Sequence, residues 1–460
     1  MSLIDETGLA DYEFSDNHVI APEYYAEHGH PHQAFAWLRK NDPLRKVHPE
    51  NFAPFWVVSK HADIVEIEKQ PELFASSPRP LLMKEASSPD LKQEVMVEIF
   101  NRLQDSPRLL EVLASAGDGG IIRSLVQMDP PDHPRYRALV QPWFKPSNIK
   151  VLEQRLTMIT KGILDQMMGS GEQRTADFVS DIAVHPPLKL ICELLGVPPE
   201  DEWRILKLTN ELFAGDDPEM KRLADDPLSI FDTIKDIYEY FSDLTDARRK
   251  EPTEDLASYI ANGRIDGEFL PYRELISYYT IIASAGHDTT RNAITGGLHG
   301  LLTHPEQLTR FKEIVDDEDA VKLAIEEMIR WSTPVAQFAR TATQDCQLRG
   351  QKIEKGDTLG LMYAAANFDE DVFDKADEFN IERKPNRHLS FGTGPHQCLG
   401  LLLARLEMRI FFKQFIPRIK SIDLLSSPER LQASFVHGLK HLHIRYQLTP
   451  ASDKIGRDSI

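Results

Sequence analysis

Phe391-Gly392-Thr393-Gly394-Pro395-His396-Gln397-Cys398-Leu399-Gly400 is the stretch on which the reading of this chain turns. One cysteine stands in a loop punctuated by Gly392, Gly394 and Gly400, which free the backbone for turns and for close approach to a flat ligand. The apolar run from Leu399 to Phe412 predicts a helix starting just after the cysteine. The positive end of that helix favours a thiolate at Cys398, and a thiolate in a dry pocket suits a soft metal. Structural zinc fits poorly. The other cysteines are Cys192 and Cys346 alone, and no Cys/His quartet of the right spacing surrounds Cys398.

Outward from this loop, the longest helical pattern runs from Pro271 to Leu302 and carries Ala285-Gly286-His287-Asp288-Thr289-Thr290. A threonine inside a helix can bond the carbonyl four residues back, here Ala285 for Thr289, loosening the ladder and opening a groove. Gly286 is expected to leave that groove without a side chain. Stepping back from Thr289 gives Ala285 and Ile281 on the same face, with Ser284 beside them. Glu327 and Arg330, at i and i+3, can pair on one helix face. His133 and Arg137, at i and i+4, share a face of a helix that Pro130, Pro131 and Pro134 help to start.

The decapeptide resembles the haem-binding loop of the cytochrome P450 family, and the upstream motifs match the same family at similar spacing. The resemblance spans nearly the whole chain, from Phe55-Trp56-Val57-Val58 to the last strands, and is nearest the bacterial terpineol-hydroxylase type, whose haem loop also follows a run like Pro385-Asn386-Arg387-His388-Leu389. It implies a mainly α fold with small β-sheets and one catalytic unit over 1–460, with a β-rich portion at about 40–75. It implies haem b as cofactor, with Cys398 as the proximal thiolate ligand of the iron and Phe391, Gly392 and Ala285 against the macrocycle. His133, Arg137, Arg340 and His396 match positions that hold the propionates. In the groove, Thr289 would hydrogen-bond dioxygen and Asp288 would relay protons. Glu327, Arg330 and Arg383 match a buried structural triad. Val335, Phe338, Phe435 and Val436, with Ile281, Ser284 and Ala285, match segments facing the substrate.

Composition is consistent with this picture. Across 460 residues, 41% are hydrophobic and 27% charged, enough for a large core. No linker, repeat or low-complexity tract divides the chain. The net charge of −19 argues against nucleic acid. Three cysteines point to a reducing compartment. The polar stretch Met1 to Asp16 lacks a signal-like core, and no apolar run approaches a bilayer span, so a cytoplasmic protein without a membrane anchor is expected.

A pattern of short runs predicts strands at Pro43–His48 and Phe55–Ser59, a helix at His61–Gln70, further helices that include Thr175–Leu195, and strands at Ala339–Ala342, Asp357–Met362 and Leu442–Tyr446. The stretch from Ser77 to Gly120 is long and unlike the soluble relatives, and with Phe213–Asp217 it is expected to roof the pocket and set substrate choice. The acidic run Asp316–Asp319 reads as a solvated helix start.

No dinucleotide fingerprint or flavin-sized domain is present, so electrons are expected from a ferredoxin and its reductase. Arg135, Arg405, Arg409 and Lys413 read as a basic patch that steers such a partner or as an ordinary solvated face. The activity implied is insertion of one oxygen atom of O2 into a small hydrophobic substrate, a monoterpenoid or an aromatic hydrocarbon. The rivals are a peroxide-driven haem-thiolate peroxygenase and a non-catalytic haem sensor or carrier.

Overall fold

The structure, a computed structural model, describes residue 9 and residues 11–450 apart from 83, 85–90, 117–119, 214–215 and 227. Most of the stretch Met1 to Asp16, part of Ser77 to Gly120 and the centre of Phe213–Asp217, the last two expected to roof the pocket, therefore lie outside the described residues. Among those described, no helix is long and apolar enough to cross a membrane.

A 32-residue helix, Tyr272–Thr303, runs through the centre. It starts after Pro271, whose extended backbone makes the entry, and it stops at His304, after which Pro305 opens the next helix. The helix Glu318–Ser332 packs against it. Asp317 caps that second helix, accepting from the backbone N–H of Asp319 at 3.0 Å and of Ala320 at 3.1 Å, so part of the acidic run is an N-cap. The helix Leu401–Phe415 begins two residues later than the apolar run suggested, after Gly400. It joins the C-terminal half of the central helix in one apolar core with Phe178, Phe311, Met328 and Leu442. A second core wraps the N-terminal half, where Tyr278, Tyr279 and Ala283 meet the helices His185–Leu194 and Ser229–Lys250.

The N-terminal β-portion does not stand alone. Its strands Leu44–Val47, Phe55–Val58 and Phe74–Ala75 join Gln337–Ala342 and Thr358–Met362 in one five-stranded sheet. Phe55–Val58 runs parallel to Thr358–Met362 and is buried along its length, as its unbroken apolar sequence requires. Gln337–Ala342 is antiparallel to the same neighbour, with Arg340 opposite Leu359.

One expected helix is wrong over its first half. Thr175–Leu195 is a strand, Arg174–Asp177, then a π-turn, Val179–Ala183, and only then a helix, His185–Leu194. The strand forms because it completes a sheet with His443–Leu448, a partner remote in sequence. Asp177 then stops it by accepting from the Val179 N–H at 3.1 Å. The stretch Ser77 to Gly120 contributes two helices, Leu91–Leu103 and Pro107–Ala116.

Candidate active site

Between Glu274 and Thr295 the central helix is buried except at Ile281, Ala285, Gly286 and Thr289. Ile281, Ala285 and Thr289 recur every four residues, so a single reachable stripe opens in a helix otherwise packed on all sides. Thr289 donates its hydroxyl to the Ala285 carbonyl at 3.0 Å. Ser284 does not join the stripe; it is buried and bonds the Thr280 carbonyl at 2.7 Å. Asp288 is also buried and is ion-paired with Arg291 rather than turned to the stripe. Gly286 has a different reason to be glycine than an open groove: a β-carbon there would lie 2.6 Å from Ile191 Cδ1. The neighbouring His287 is fully buried, bonds Thr209 Oγ1 at 2.8 Å, and is held neutral by burial, which lowers its pKa to about 4.

The cysteine loop folds back on itself through the Cys398 N–H, which donates to the Phe391 carbonyl at 2.9 Å. Leu399 packs in the apolar cluster that contains Ile281 and Ala283, tying the loop to the reachable stripe. Gly394 has a positive φ of 66°, and a β-carbon there would collide with the Glu68 carbonyl oxygen. The helix His61–Glu68 thus abuts the loop, and its approach is what demands glycine at this position. Cys398 is solvent-accessible, although protein atoms are dense around its sulfur. Burial consequently raises its thiol pKa, against the lowering influence of the Gly400 N–H, Arg137 and Arg405. A metal ion bound at this sulfur would favour the thiolate.

The four expected propionate partners converge. The rings of His133 and His396 lie 4.0 Å apart between centroids. Burial, followed by nearby arginines, holds both neutral, with pKa values lowered to about 4 and about 2. Arg137 donates to the Gln397 carbonyl at 2.8 Å, and Arg340 is buried within the sheet. His133 Nε2 is buried with no hydrogen-bond partner, and neither His133 nor Arg137 has a carboxylate partner among the described residues. A cluster of donors in which, among the described residues, only Arg340 is ion-paired, with Glu68, stands beside a loop cysteine and a reachable helix stripe and fits a flat macrocycle that brings two carboxylates and a metal.

Val335 and Phe338 are half-buried, as is Phe435, whose ring stands edge-on to Phe338 at 5.3 Å. Val335 bridges Val436 across a short β-contact, which brings these two remote segments together. Phe213 extends the aromatic row, 6.4 Å from Phe435.

The cytochrome P450 family model matches residues 188–422. Cytochrome P450-terp of a Pseudomonas species is 38% identical over 436 residues, 93% of this chain and 96% of that protein. The chain belongs to the cytochrome P450 family. Linalool 8-monooxygenase of Pseudomonas putida is 30% identical over 92% of this chain and 97% of its own length. The crystal structure of CYP108D1 from Novosphingobium aromaticivorans superposes with a TM-score of 0.80 at 36% identity, covering 94% of this chain and 98% of that one. The protein is accordingly a P450 monooxygenase whose cofactor is haem, its iron bound by a cysteine thiolate.

In this P450 the triad of Glu327, Arg330 and Arg383 is assembled in the core. Arg330 grips Glu327 with two bonds of 2.8 Å, and Arg383 Nε reaches Glu327 Oε2 at 3.1 Å. Asn386 Nδ2 adds a further bond at 3.0 Å, a contribution that sequence reasoning missed.

Of the two readings of Arg135, Arg405, Arg409 and Lys413, the ion pairs favour the ordinary charged face. Arg405 is bidentate on Glu326 at 2.6 and 2.7 Å, and its guanidinium lies 4.5 Å over the Phe391 ring. Arg409 pairs with Glu318 and Glu153 at 3.0 Å each, Lys413 with Glu318, and Arg135 with Asp266. Each cation already has its carboxylate, so the four do not form an unpaired positive surface. Glu326 is held ionised: burial alone would raise it, but Arg405 and His388 outweigh that and lower its pKa to about 2.

Proposed function

We propose that Cys398 supplies the thiolate to the haem iron, that His133, Arg137, Arg340 and His396 take the propionates, and that Phe391, Gly392 and Ala285 lie against the ring. The bound haem, reduced by a ferredoxin and its reductase, activates O2 for insertion into an apolar C–H bond. The chain's own residues bind, orient and manage protons. Thr289, freed only as far as its bond to Ala285 allows, presents a hydroxyl on the reachable stripe. Asp288, paired with Arg291, would pass a proton inward once that ion pair opens.

Ile281, Val335, Phe338 and Phe435 offer aliphatic and aromatic surface with no charged group among them, which supports a compact hydrocarbon guest. The name of the linalool relative supports a terpenoid. The observation that carries the reading is the reachable stripe Ile281-Ala285-Thr289 in a buried helix, since packing alone gives no reason for it.

The test is a panel of monoterpenoids, alkyl-aromatics, fatty acids and steroids scored by the haem spin-state change on binding. Turnover is then measured with ferredoxin and reductase, and separately with peroxide. The reading expects the first two classes to bind tightest and turnover to need the electron system. Preference for the larger ligands would overturn the substrate class. Peroxide-driven turnover that exceeds the ferredoxin system and survives Thr289→Ala would replace the monooxygenase mechanism with the peroxygenase one.

A further inference from the structure

The helix His61–Glu68 ends on a carboxyl that is 4% exposed and lies behind the propionate wall. Glu68 Oε1 accepts from the Tyr363 hydroxyl at 2.5 Å and from Arg340 Nη2 at 3.2 Å, while Oε2 accepts from the Thr393 N–H at 2.9 Å. Three elements thus converge on it: the short helix Tyr363–Ala366, the strand Gln337–Ala342 and the cysteine loop. The titratable or charged groups facing it are Arg340 and Tyr363; beyond Arg340 stand the imidazoles of His133 and His396, both neutral. Burial keeps the Tyr363 phenol protonated, so it can only donate.

Glu68 singles out Arg340 within the wall. Arg340 alone of the four propionate candidates has a carboxylate of the protein as partner among the described residues. A propionate on Arg340 would place two carboxyl groups around one guanidinium away from water, and each would disfavour ionisation of the other. Burial raises the Glu68 pKa above the usual carboxylate value, with Arg340, Tyr363 and Thr393 acting against it. The geometry therefore offers a single proton site whose occupancy answers to the negative charge in front of Arg340.

We propose that Glu68 is a positioning residue that takes up a proton when the haem gains an electron. The balance is simple. A one-electron reductant gives its electron to the iron, solvent gives a proton to the Glu68 carboxylate, and the only bond formed is O–H; oxidation reverses both. Tyr363 and Thr393 hold the carboxyl in place, and Arg340 carries the change in charge to the propionate.

The experiment is spectroelectrochemical titration of the holoenzyme from acid to alkaline pH, with wild type, Glu68→Gln and Tyr363→Phe compared. A fully coupled proton makes the midpoint potential fall with rising pH by about 59 mV for each tenfold fall in proton activity. Wild type is expected to show such a sloping region and Glu68→Gln to lose it. Tyr363→Phe removes a donor to the ionised carboxyl, so the slope should extend to higher pH. A flat wild-type profile, or a slope that persists unchanged in Glu68→Gln, overturns the proposal and leaves Glu68 as a tie between helix and loop. Should Glu68→Gln not hold haem, an unmoved profile in Tyr363→Phe overturns it equally. The reduced carbon monoxide spectrum of each variant checks the haem-thiolate assignment separately, so failure of one reading is not mistaken for failure of the other.

Discussion

Arg330 and Glu327, neither with any exposed surface, face one another through two parallel hydrogen bonds of 2.8 Å. The pair sits where burial would otherwise raise the Glu327 pKa, and the bonds from Arg330, with Arg383 and the Asn380 N–H, lower it instead. Removing Arg383 leaves the buried Glu327 carboxylate with one of its two cationic partners among the described residues. Arg383→Ala should cost about 3–5 kcal/mol, read as a fall in the urea midpoint with unchanged slope. A variant within about 1 kcal/mol of wild type would contradict the interdependence of the triad.

Thr289 is the polar side chain of the reachable stripe, so its hydroxyl should matter to the fate of oxygen more than to substrate binding. In Thr289→Ala the yield of product per O2 consumed should drop by about 10²-fold, with peroxide accumulating and the spin-state titration unchanged. Equal yields in the two proteins would remove Thr289 from proton handling.

Acid should weaken the fold through His30. Its ring is buried against His437 at 4.9 Å and His32 at 5.9 Å, close to Arg430, and its Nε2 lies 3.0 Å from the Ser332 carbonyl. Burial lowers its pKa to about 4, with the Ser332 and Thr333 carbonyls opposing and Arg430 assisting. The unfolded chain, titrating near 6.5, then binds more protons than the folded one between those values. Stability is full above pH ~6.5 and declines as pH falls towards ~4, by on the order of 3 kcal/mol from this group. Thermal melts across that range should show a shallower decline in His30→Gln. Parallel declines would mean that His30 does not contribute.

Arg405 belongs to Glu326 and the Phe391 ring, and that commitment separates two outcomes. Arg405→Ala should lower stability by about 2 kcal/mol and loosen haem retention. Lys413→Ala, at an exposed pair, should cost under about 1 kcal/mol. If either variant instead weakened ferredoxin binding in a strongly salt-dependent way while leaving stability intact, the patch would regain its docking role.

What could be read ahead of the structure was local. The stripe Ile281-Ala285-Thr289 and the pair Glu327-Arg330 follow from helical spacing, and the cysteine loop declares itself through its own glycines. Glu68 gave no such signal, because its partners Arg340, Tyr363 and Thr393 are 272, 295 and 325 residues away. The two readings of the basic residues stayed open for the same reason: Glu326 meets Arg405 across 79 residues and Glu153 meets Arg409 across 256. At Thr175–Leu195 the apolar spacing continued smoothly while the backbone did not, since pairing with His443–Leu448 overrode local preference. Gly286 and Gly394 were expected to clear room for a ligand, whereas Ile191 and Glu68 are the neighbours that require them.

The central claim, Cys398 sulfur bonded to haem iron, is tested most directly by the absorption spectrum of the reduced protein under carbon monoxide. A thiolate ligand predicts a red-shifted Soret band in the wild type and its loss in Cys398→Ala. An unshifted band in intact wild-type protein, or a shifted band that survives Cys398→Ala, would contradict the account.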